Sequence, residues 1–383
     1  MSLFPKKIMI VTSFPPEGGF GGGVILRSLL SKDIKNDVTW VNLNYTRNET
    51  CRTTAQGWHY YPTPIIIRGY TYLGKLGNRW LKWKVQSFIK RLNQAHKPDI
   101  IWMVLDYQIA EQLSYLALIK FHHLHVSIHD DPRVVVSNNA YKYHTPERMQ
   151  KWCAKVLKQA DSIDCISDRM TAYIKSEVKH ENVVTITRAL CDGKWKKPDI
   201  AFLDLINIVM GGFGEMPPPW PHNLMNALIL LEQKMGKPVV FHAFDNSLKP
   251  HANDRLKVYE LMPENRFDEF MASMHIGYAC DPFETEAELA FAKTSMSTKV
   301  LTYIGHGLPV FYHGPADSTV GDLITKYDIG CICESNDSVE IVTVLGKIIN
   351  KYEHYTEKEK DVIDEVFNLN VLQQKLIKLW NPK

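Results

Sequence analysis

The most constraining feature of this chain is an alternation of short apolar runs with longer amphipathic stretches, and the pattern runs through twice. In the first half, residues 8–11, 38–43, 100–105, 124–128, 162–166 and 183–186 are strand-length and rich in Val and Ile. Between them, residues 24–30, 79–96, 107–119, 146–159 and 168–178 place apolar side chains at helical spacing. Apolar runs this short, each followed by an amphipathic helix, are βαβ units, and their parallel strands must be covered by helices on both faces. The polar segment 191–199, C-D-G-K-W-K-K-P-D, interrupts the pattern and reads as a linker. The alternation then restarts, with strands expected at 205–210, 238–241, 275–279, 309–312 and 329–333. Helices are expected at 223–235, 266–274, 297–305, 320–327 and 338–351, followed by a last helical stretch at 357–380. The chain therefore reads as an α/β protein of two tandem Rossmann-like domains, 1–200 and 201–355, with residues 356–383 as C-terminal helices returning toward the N-terminal domain. Two such domains are expected to turn their parallel sheets toward a central cleft, because ligands bind at the carboxyl ends of parallel strands.

Composition narrows the function classes. With 383 residues, 45 Lys and Arg against 42 Asp and Glu, the net charge is only +3. There is neither an acidic tail nor the basic coat of a nucleic-acid binder, so no nucleic-acid partner is expected. Seven cysteines lie scattered without a C-x-x-C pair, which excludes a zinc ribbon and points to a reducing compartment. No apolar run reaches the roughly 18 residues needed to span a bilayer, and residues 1–7 lead into a strand rather than a signal peptide. A soluble, cytoplasmic protein is expected.

Chemistry is expected where strands end. The first strand runs into S-F-P-P-E-G-G-F-G-G-G at 13–23, where Gly19, Gly21, Gly22 and Gly23 would let the backbone approach a ligand beside a helix start. No G-x-x-x-x-G-K-[ST] occurs, which removes support for NTP hydrolysis. The strand at 124–128 delivers His129, Asp130 and Asp131, an imidazole and two adjacent carboxylates suited to general acid–base work. His122, His123 and His125 precede them, but successive same-face positions of a strand stand too far apart to close around one tetrahedral ion. In the second half, Gly212 and Phe213 follow the first strand, Glu284 follows the strand ending near Cys280, and Ser297, Thr298 and Lys299 open a helix. Hydroxyls, free N–H groups and a lysine at one helix start suit a diphosphate.

The segment K-V-L-T-Y-I-G-H-G-L-P-V at 299–310 resembles the K-L-L-E-Y-x-A-x-G-x-P-V segment of GT-B glycosyltransferases, in particular the large bacterial family that uses nucleotide sugars. Residues 18–23 are similar to that family's Gly-rich acceptor loop, and D-C-I-S-D-R-M at 164–170 to its strand–helix junction late in the N-terminal domain. Residues 206–212 and 274–280 fall where the family has strands of its second domain. The resemblance implies a GT-B fold, with an acceptor site in the first domain and a nucleotide-sugar site in the second. It implies Lys299 as the phosphate contact, as in a subgroup with an S-M-K motif, and Thr302 as a neighbour of the nucleotide. The family's paired glutamates would fall at Thr294 and Thr302, so both are replaced here, and its Arg and Lys after the first strand of the second domain are missing from 211–220. There is no D-x-D, which accords with the metal-independent GT-B architecture. The implied activity is transfer of a sugar from a nucleotide-diphosphate donor to a glycan or lipid-linked acceptor, as in cell-surface polysaccharide synthesis, with no metal or other cofactor. A sugar-nucleotide epimerase of the same fold and a non-catalytic two-lobed sugar-binding protein are the rival readings.

Residues 68–91 carry Arg68, Lys75, Arg79, Lys82, Lys84, Lys90 and Arg91 with Trp80 and Trp83 and no acidic residue. Helical spacing puts Trp80, Lys84, Ser87 and Arg91 on one face and Leu81, Val85 and Phe88 on another, which suits an anionic membrane surface at the cytoplasmic side.

Overall fold

The computed structural model describes residues 5–17, 21–30, 37–44, 49–63, 74–138, 145–190, 204–211, 216–217, 220–260 and 262–381. The expected linker at 191–199 lies outside them. Two compact units form, one from Met1–Ala189 with Leu372–Lys383, the other from Leu190–Val371. Of the terminal segment 356–383, Leu372–Lys383 groups with the first unit and the part up to Val371 with the second.

The first unit contains strands β1 (Lys7–Thr12), β2 (Asp37–Asn42), β3 (Arg52–Thr53), β4 (His59–Pro62), β5 (Ile100–Val104), β6 (Leu124–Ile128), β7 (Ser162–Cys165) and β8 (Val183–Thr185). They form one sheet in the order β3-β4-β2-β1-β5-β6-β7-β8, parallel except for the β3–β4 pair. Its helices are α1 (Gly21–Leu29), α2 (Gly74–His96), α3 (Ala110–Leu116), α4 (Pro132–Asn138), α5 (Pro146–Gln159) and α6 (Asp168–Val178). The central strands are buried throughout, as expected for a sheet with helices on both faces. Local chemistry sets helix starts: Thr145 caps α5 ahead of Pro146, and Ser167 caps α6 by accepting from Met170 N at 3.1 Å. The S-x-x-M spacing of the junction at 164–170 therefore joins a cap to a core methionine, since Met170 is fully buried.

Under this sheet the histidine-rich segment forms a polar lattice. His123 Nε2 and His125 Nδ1 both reach Ser162 Oγ, at 2.7 and 2.9 Å. His125 Nε2 lies 2.8 Å from Asp164 Oδ1, and Ser127 Oγ donates to that oxygen. Trp380 covers His125 edge-on, with ring centroids 5.6 Å apart, and Asn182 Nδ2 donates to Leu379 O at 3.0 Å. The C-terminal turns are thereby tied into the first sheet's core.

The second unit contains β9 (Ile206–Met210), β10 (Val239–Ala243), β11 (Leu256–Val258), β12 (Ile276–Cys280), β13 (Val310–His313) and β14 (Gly330–Cys333). All run parallel, in the order β11-β10-β9-β12-β13-β14. Its helices are α7 (Trp220–Met235), α8 (Glu264–Met271), α9 (Glu286–Thr294), α10 (Thr298–Gly305), α11 (Thr319–Tyr327), α12 (Ser338–Asn350) and α13 (Tyr352–Val362); α14 (Leu369–Trp380) crosses back to the first unit. Two apolar clusters fill the two faces of this sheet, one around Trp220, Phe241 and Tyr278, the other around Val209, Tyr303 and Tyr312. The helical stretch expected at 357–380 is broken by a π-helical turn, Ile363–Phe367, after which Asn368 turns to an extended conformation.

Both sheets reverse strand order beside their first strand, between β1 and β5 and between β9 and β12. Strand ends on either side of such a reversal leave a crevice, because the flanking connections depart in opposite directions. Each unit thus supplies one crevice, and the chemistry-bearing residues gather there.

Candidate functional site

In the first unit the turn after β1 is fixed from below. Trp40 Nε1 donates to Thr12 Oγ1 (2.9 Å) and to Phe14 O (3.1 Å), and Thr12 Oγ1 donates to Phe14 O at 2.6 Å. Gly19 lies outside the described residues, while Gly21, Gly22 and Gly23 make the first turn of α1, which begins three residues ahead of the expected start at Val24. Close approach explains the glycine: a Cβ on Gly22 would lie 2.7 Å from Phe14 Cζ and 3.1 Å from His129 Nδ1. Any side chain there would push into the ring that closes the crevice.

His129 stands at the end of β6 with both ring nitrogens buried and neither hydrogen-bonded. Burial pushes its pKa down, against the pull of Asp164, so the ring is neutral at pH 7 and offers one donor and one acceptor. An orphaned buried imidazole costs stability unless a ligand or water meets it.

The two carboxylates that follow part company. Asp131 is buried and accepts from Arg133 through the backbone N (2.9 Å), Nε (2.9 Å) and Nη2 (2.8 Å). Its bonds to Arg133 anchor the start of α4. Asp130, the other carboxylate expected as a base, is exposed.

Beside Asp130 lies a group the sequence reading passed over. Asp106 follows β5 across the reversal, accepts from Gln108 N at 2.7 Å and from the Ser13 hydroxyl, and is pushed up to about 6 by burial, with the charge of Asp130 adding to the rise. Two carboxylates with separated pKa values at one strand-end crevice are the arrangement that acid–base chemistry uses. Its sequence signal is slight: one aspartate closing the apolar run at 100–105, easily read as a turn residue.

In the second unit Gly212 and Phe213 lie outside the described residues. Gly211 N donates to Tyr303 Oη at 2.9 Å, and Tyr303 Oη donates to Tyr278 O at 2.7 Å. This one hydroxyl ties α10 to the ends of β9 and β12. A Cβ on Gly277 would intrude on the Tyr303 ring, so β12 needs glycine there. Ser297, Thr298 and Lys299 open the same helix, α10. Ser297 occupies the N-cap position, but its side chain accepts no backbone hydrogen bond, unlike Ser318 of α11 or Asp337 of α12. The first-turn N–H groups keep their capacity for an anion. Thr302 turns its hydroxyl back to Thr298 O at 2.9 Å.

At the end of β12, burial raises the pKa of Cys280 and of Asp281, and the half-buried Lys299 pulls against that rise. Desolvation outweighs it at Asp281, whose pKa is raised although Tyr312 Oη donates to its carboxylate at 2.9 Å. Asp245, at the end of β10, is buried, with Oδ1 accepting from Ser247 N at 2.9 Å and Oδ2 bonded to nothing. This orphaned oxygen was also missed from sequence. Glu284 is exposed and accepts from Trp220 Nε1 at 3.1 Å; the indole stacks on the buried His313 with centroids 4.1 Å apart. Glu284 is thus held at the mouth by the core of its own unit.

No family model and no curated relative matches this chain. Solved structures do. Sucrose-phosphate synthase from Thermosynechococcus elongatus superposes with a TM-score of 0.72 over 98% of both chains at 11% identity. The chain has the GT-B glycosyltransferase fold. The Anabaena HepE protein, solved in complex with UDP-glucose, shares this GT-B fold with a TM-score of 0.64 at 13% identity, over 97% of this chain and 98% of that one. A putative UDP-N-acetylglucosamine 2-epimerase from Listeria monocytogenes does so with a TM-score of 0.58 at 9% identity, over 97% and 95%.

Proposed function

We propose that the protein is a glycosyltransferase that moves a sugar from a nucleoside-diphosphate donor to a glycan or lipid-linked acceptor in cell-surface polysaccharide synthesis. The observation that carries this reading is the pair of strand-end crevices with complementary equipment. One has a neutral, unpartnered imidazole beside two carboxylates. The other has an uncapped helix start with a lysine and an orphaned aspartate oxygen. UDP and UDP-glucose in the HepE structures support a sugar nucleotide as the ligand class.

In the second unit, Lys299 and the N–H groups of the first turn of α10 receive the diphosphate. Negative charge grows on the leaving phosphate as the glycosidic bond breaks, and a fixed cation with oriented dipoles stabilises that charge without reorganising. Asp245 Oδ2 and Glu284 offer acceptors to hydroxyl or N–H groups of the nucleotide sugar, and Gly212, Phe213 and Thr302 are assigned to the donor by their place in the sequence. In the first unit, His129 hydrogen-bonds a sugar hydroxyl, and Asp106, ionised above about pH 6, takes the proton of the attacking acceptor hydroxyl with Asp130 beside it. The glycine turn at 21–23 admits the acceptor. No step requires a metal or another cofactor.

Chromatography of UDP-sugars incubated with the protein separates this from an epimerase. Without acceptor the sugar nucleotide should persist, apart from slow hydrolysis. With lipid-linked or glycan acceptors nucleoside diphosphate should be released in step with a glycosylated product. An epimeric sugar nucleotide formed without acceptor would give the protein to the epimerase reading.

A further inference from the structure

Helix α2 presents a face that the transfer chemistry does not use. Leu81, Val85, Phe88, Ile89 and Leu92 are buried and fasten the helix to the first unit. The opposite face carries Arg79, Trp80, Trp83, Ser87, Lys90, Arg91 and Gln94, all exposed. Trp83 is 59% exposed and Trp80 42%, values at odds with the usual burial of indoles. The Lys84 ammonium lies over both rings, 5.2 Å from the Trp83 centroid and 5.5 Å from that of Trp80. Among the described residues, none of Arg79, Lys82, Lys84, Lys90 and Arg91 pairs with a carboxylate, and the helix itself contains no acidic residue.

The positive surface continues past the helix end. Gln94, Lys97, Lys120 and His122 border an open depression of about 580 Å³. The one carboxylate there, Asp99, is taken by the backbone N–H groups of Lys6 and Lys7 at 2.9 and 3.0 Å. Leu118, 54% exposed, follows α3 on the flank where Gln86 Nε2 of α2 donates to Tyr115 O at 2.8 Å.

We propose that this face docks the protein on an anionic lipid bilayer. A helix lying along a bilayer places indoles at the headgroup level, where an amphipathic ring is most stable, and its cations against phosphate. The side chains meet both demands: Trp80, Trp83 and Leu118 for the interface, and the exposed Arg79, Lys90, Arg91 and Lys120 with the half-buried Lys84 for the headgroups. A soluble protein partner would leave this row of unpaired cations uncompensated unless it were itself a sheet of acid. Among the described residues no helix is long and apolar enough to cross a membrane, so the contact is peripheral. Residues 68–73 of the basic stretch lie outside the described residues.

The test is co-sedimentation of the full chain with vesicles, in the absence of donor and acceptor, so that its outcome is independent of the transfer reading. Vesicles of phosphatidylcholine with phosphatidylglycerol should carry the protein down at low salt, and phosphatidylcholine alone should not. Binding should fall as the screening length shrinks from about 10 Å at 0.1 M salt to about 3 Å at 1 M. Each cation near the surface strengthens partition about fivefold, so the double variant Lys90→Glu, Arg91→Glu should partition at least about 25-fold less. Trp83→Ala should weaken binding while leaving its salt dependence unchanged. Equal melting temperatures would show that both variants fold. Three results would each overturn the proposal: wild-type protein left in solution with anionic vesicles at low salt, the folded charge-reversal variant bound as well as wild type, or single-stranded DNA displacing the vesicles at low concentration.

Discussion

Replacing Asp106 by asparagine should lower kcat by about 10²-fold or more, the usual contribution of a positioned base, and should make the protein more stable at neutral pH. Both effects come from one burial. Asp106 is raised from 3.8 to about 6 in the folded protein because ionisation there is poorly solvated. A group whose folded pKa lies above its unfolded one contributes stability fully below the unfolded value. That contribution is lost as pH rises through the folded value. Between about pH 4 and 6, then, the wild type loses stability as Asp106 ionises, and above 6 it bears the whole cost. Asparagine keeps the hydrogen bond from Gln108 N and carries no charge, so the variant's melting temperature should exceed that of the wild type above pH 6 and converge with it in acid. Activity should follow the opposite course. The wild-type rate should rise with pH through about 6, and that limb should vanish in the variant. A variant with wild-type kcat and an unchanged limb would move the base to Asp130.

Lys299→Ala should lower kcat/KM by about 10²- to 10³-fold, the range observed when one preorganised group facing developing charge is removed. The fold should scarcely notice. Lys299 is half-buried, forms no ion pair among the described residues, and α10 is tied to β9 and β12 by Tyr303 rather than by the lysine. Removing the ammonium also removes a charge that favours ionised Asp281, so that carboxyl should become still harder to ionise. The checks are donor kinetics and the melting temperature with and without nucleoside diphosphate. The alanine variant should melt where the wild type does alone and lose the ligand-induced rise. A large drop in its unliganded melting temperature would make Lys299 a structural residue.

Much of the fold could be read from the periodicity of the chain because parallel strands buried on both faces must be apolar along their whole length. The runs at 8–11, 100–105 and 124–128 became β1, β5 and β6 for that reason. Elements escaped where burial is partial. β3 is two exposed residues, Arg52 and Thr53; β4 contains Pro62; β11 has only Leu256 fully buried of its three. Residues 132–138, with three consecutive valines, carry no helical expectation, yet α4 forms there, its start held by Asp131 accepting from Arg133 N and Nη2. The break at 363–367 left no mark because Ile363 and Phe367 continue the apolar spacing of the flanking helices.

The candidate site divides along similar lines. Lys299, Ser297 and Thr298 stand out in the sequence because a lysine and hydroxyls at a helix start are visible as a string. His129 stands out because it ends a strand. Asp106 and Asp245 could not, since each is a lone aspartate after an apolar run, and what distinguishes it is an environment assembled from distant segments. For Asp106 those neighbours are Ser13 and Asp130; for Asp245 the mark is an oxygen with no partner. Asp131 shows the converse, a carboxylate suggestive in sequence that the fold gives to Arg133.

The central claim is that the second unit holds a nucleoside-diphosphate sugar, and the most direct measurement is thermal unfolding of the wild-type protein across a panel of UDP, GDP, CMP and dTDP sugars and the free nucleotides. A ligand bound only by the native state stabilises by RT ln(1 + [L]/Kd), about 2.7 kcal/mol at a hundred times Kd. One nucleotide class, with UDP the first candidate, should raise the melting temperature steadily with the logarithm of its concentration, and the free sugar should not. A melting temperature unmoved by every nucleotide and sugar nucleotide at millimolar concentration would contradict the account.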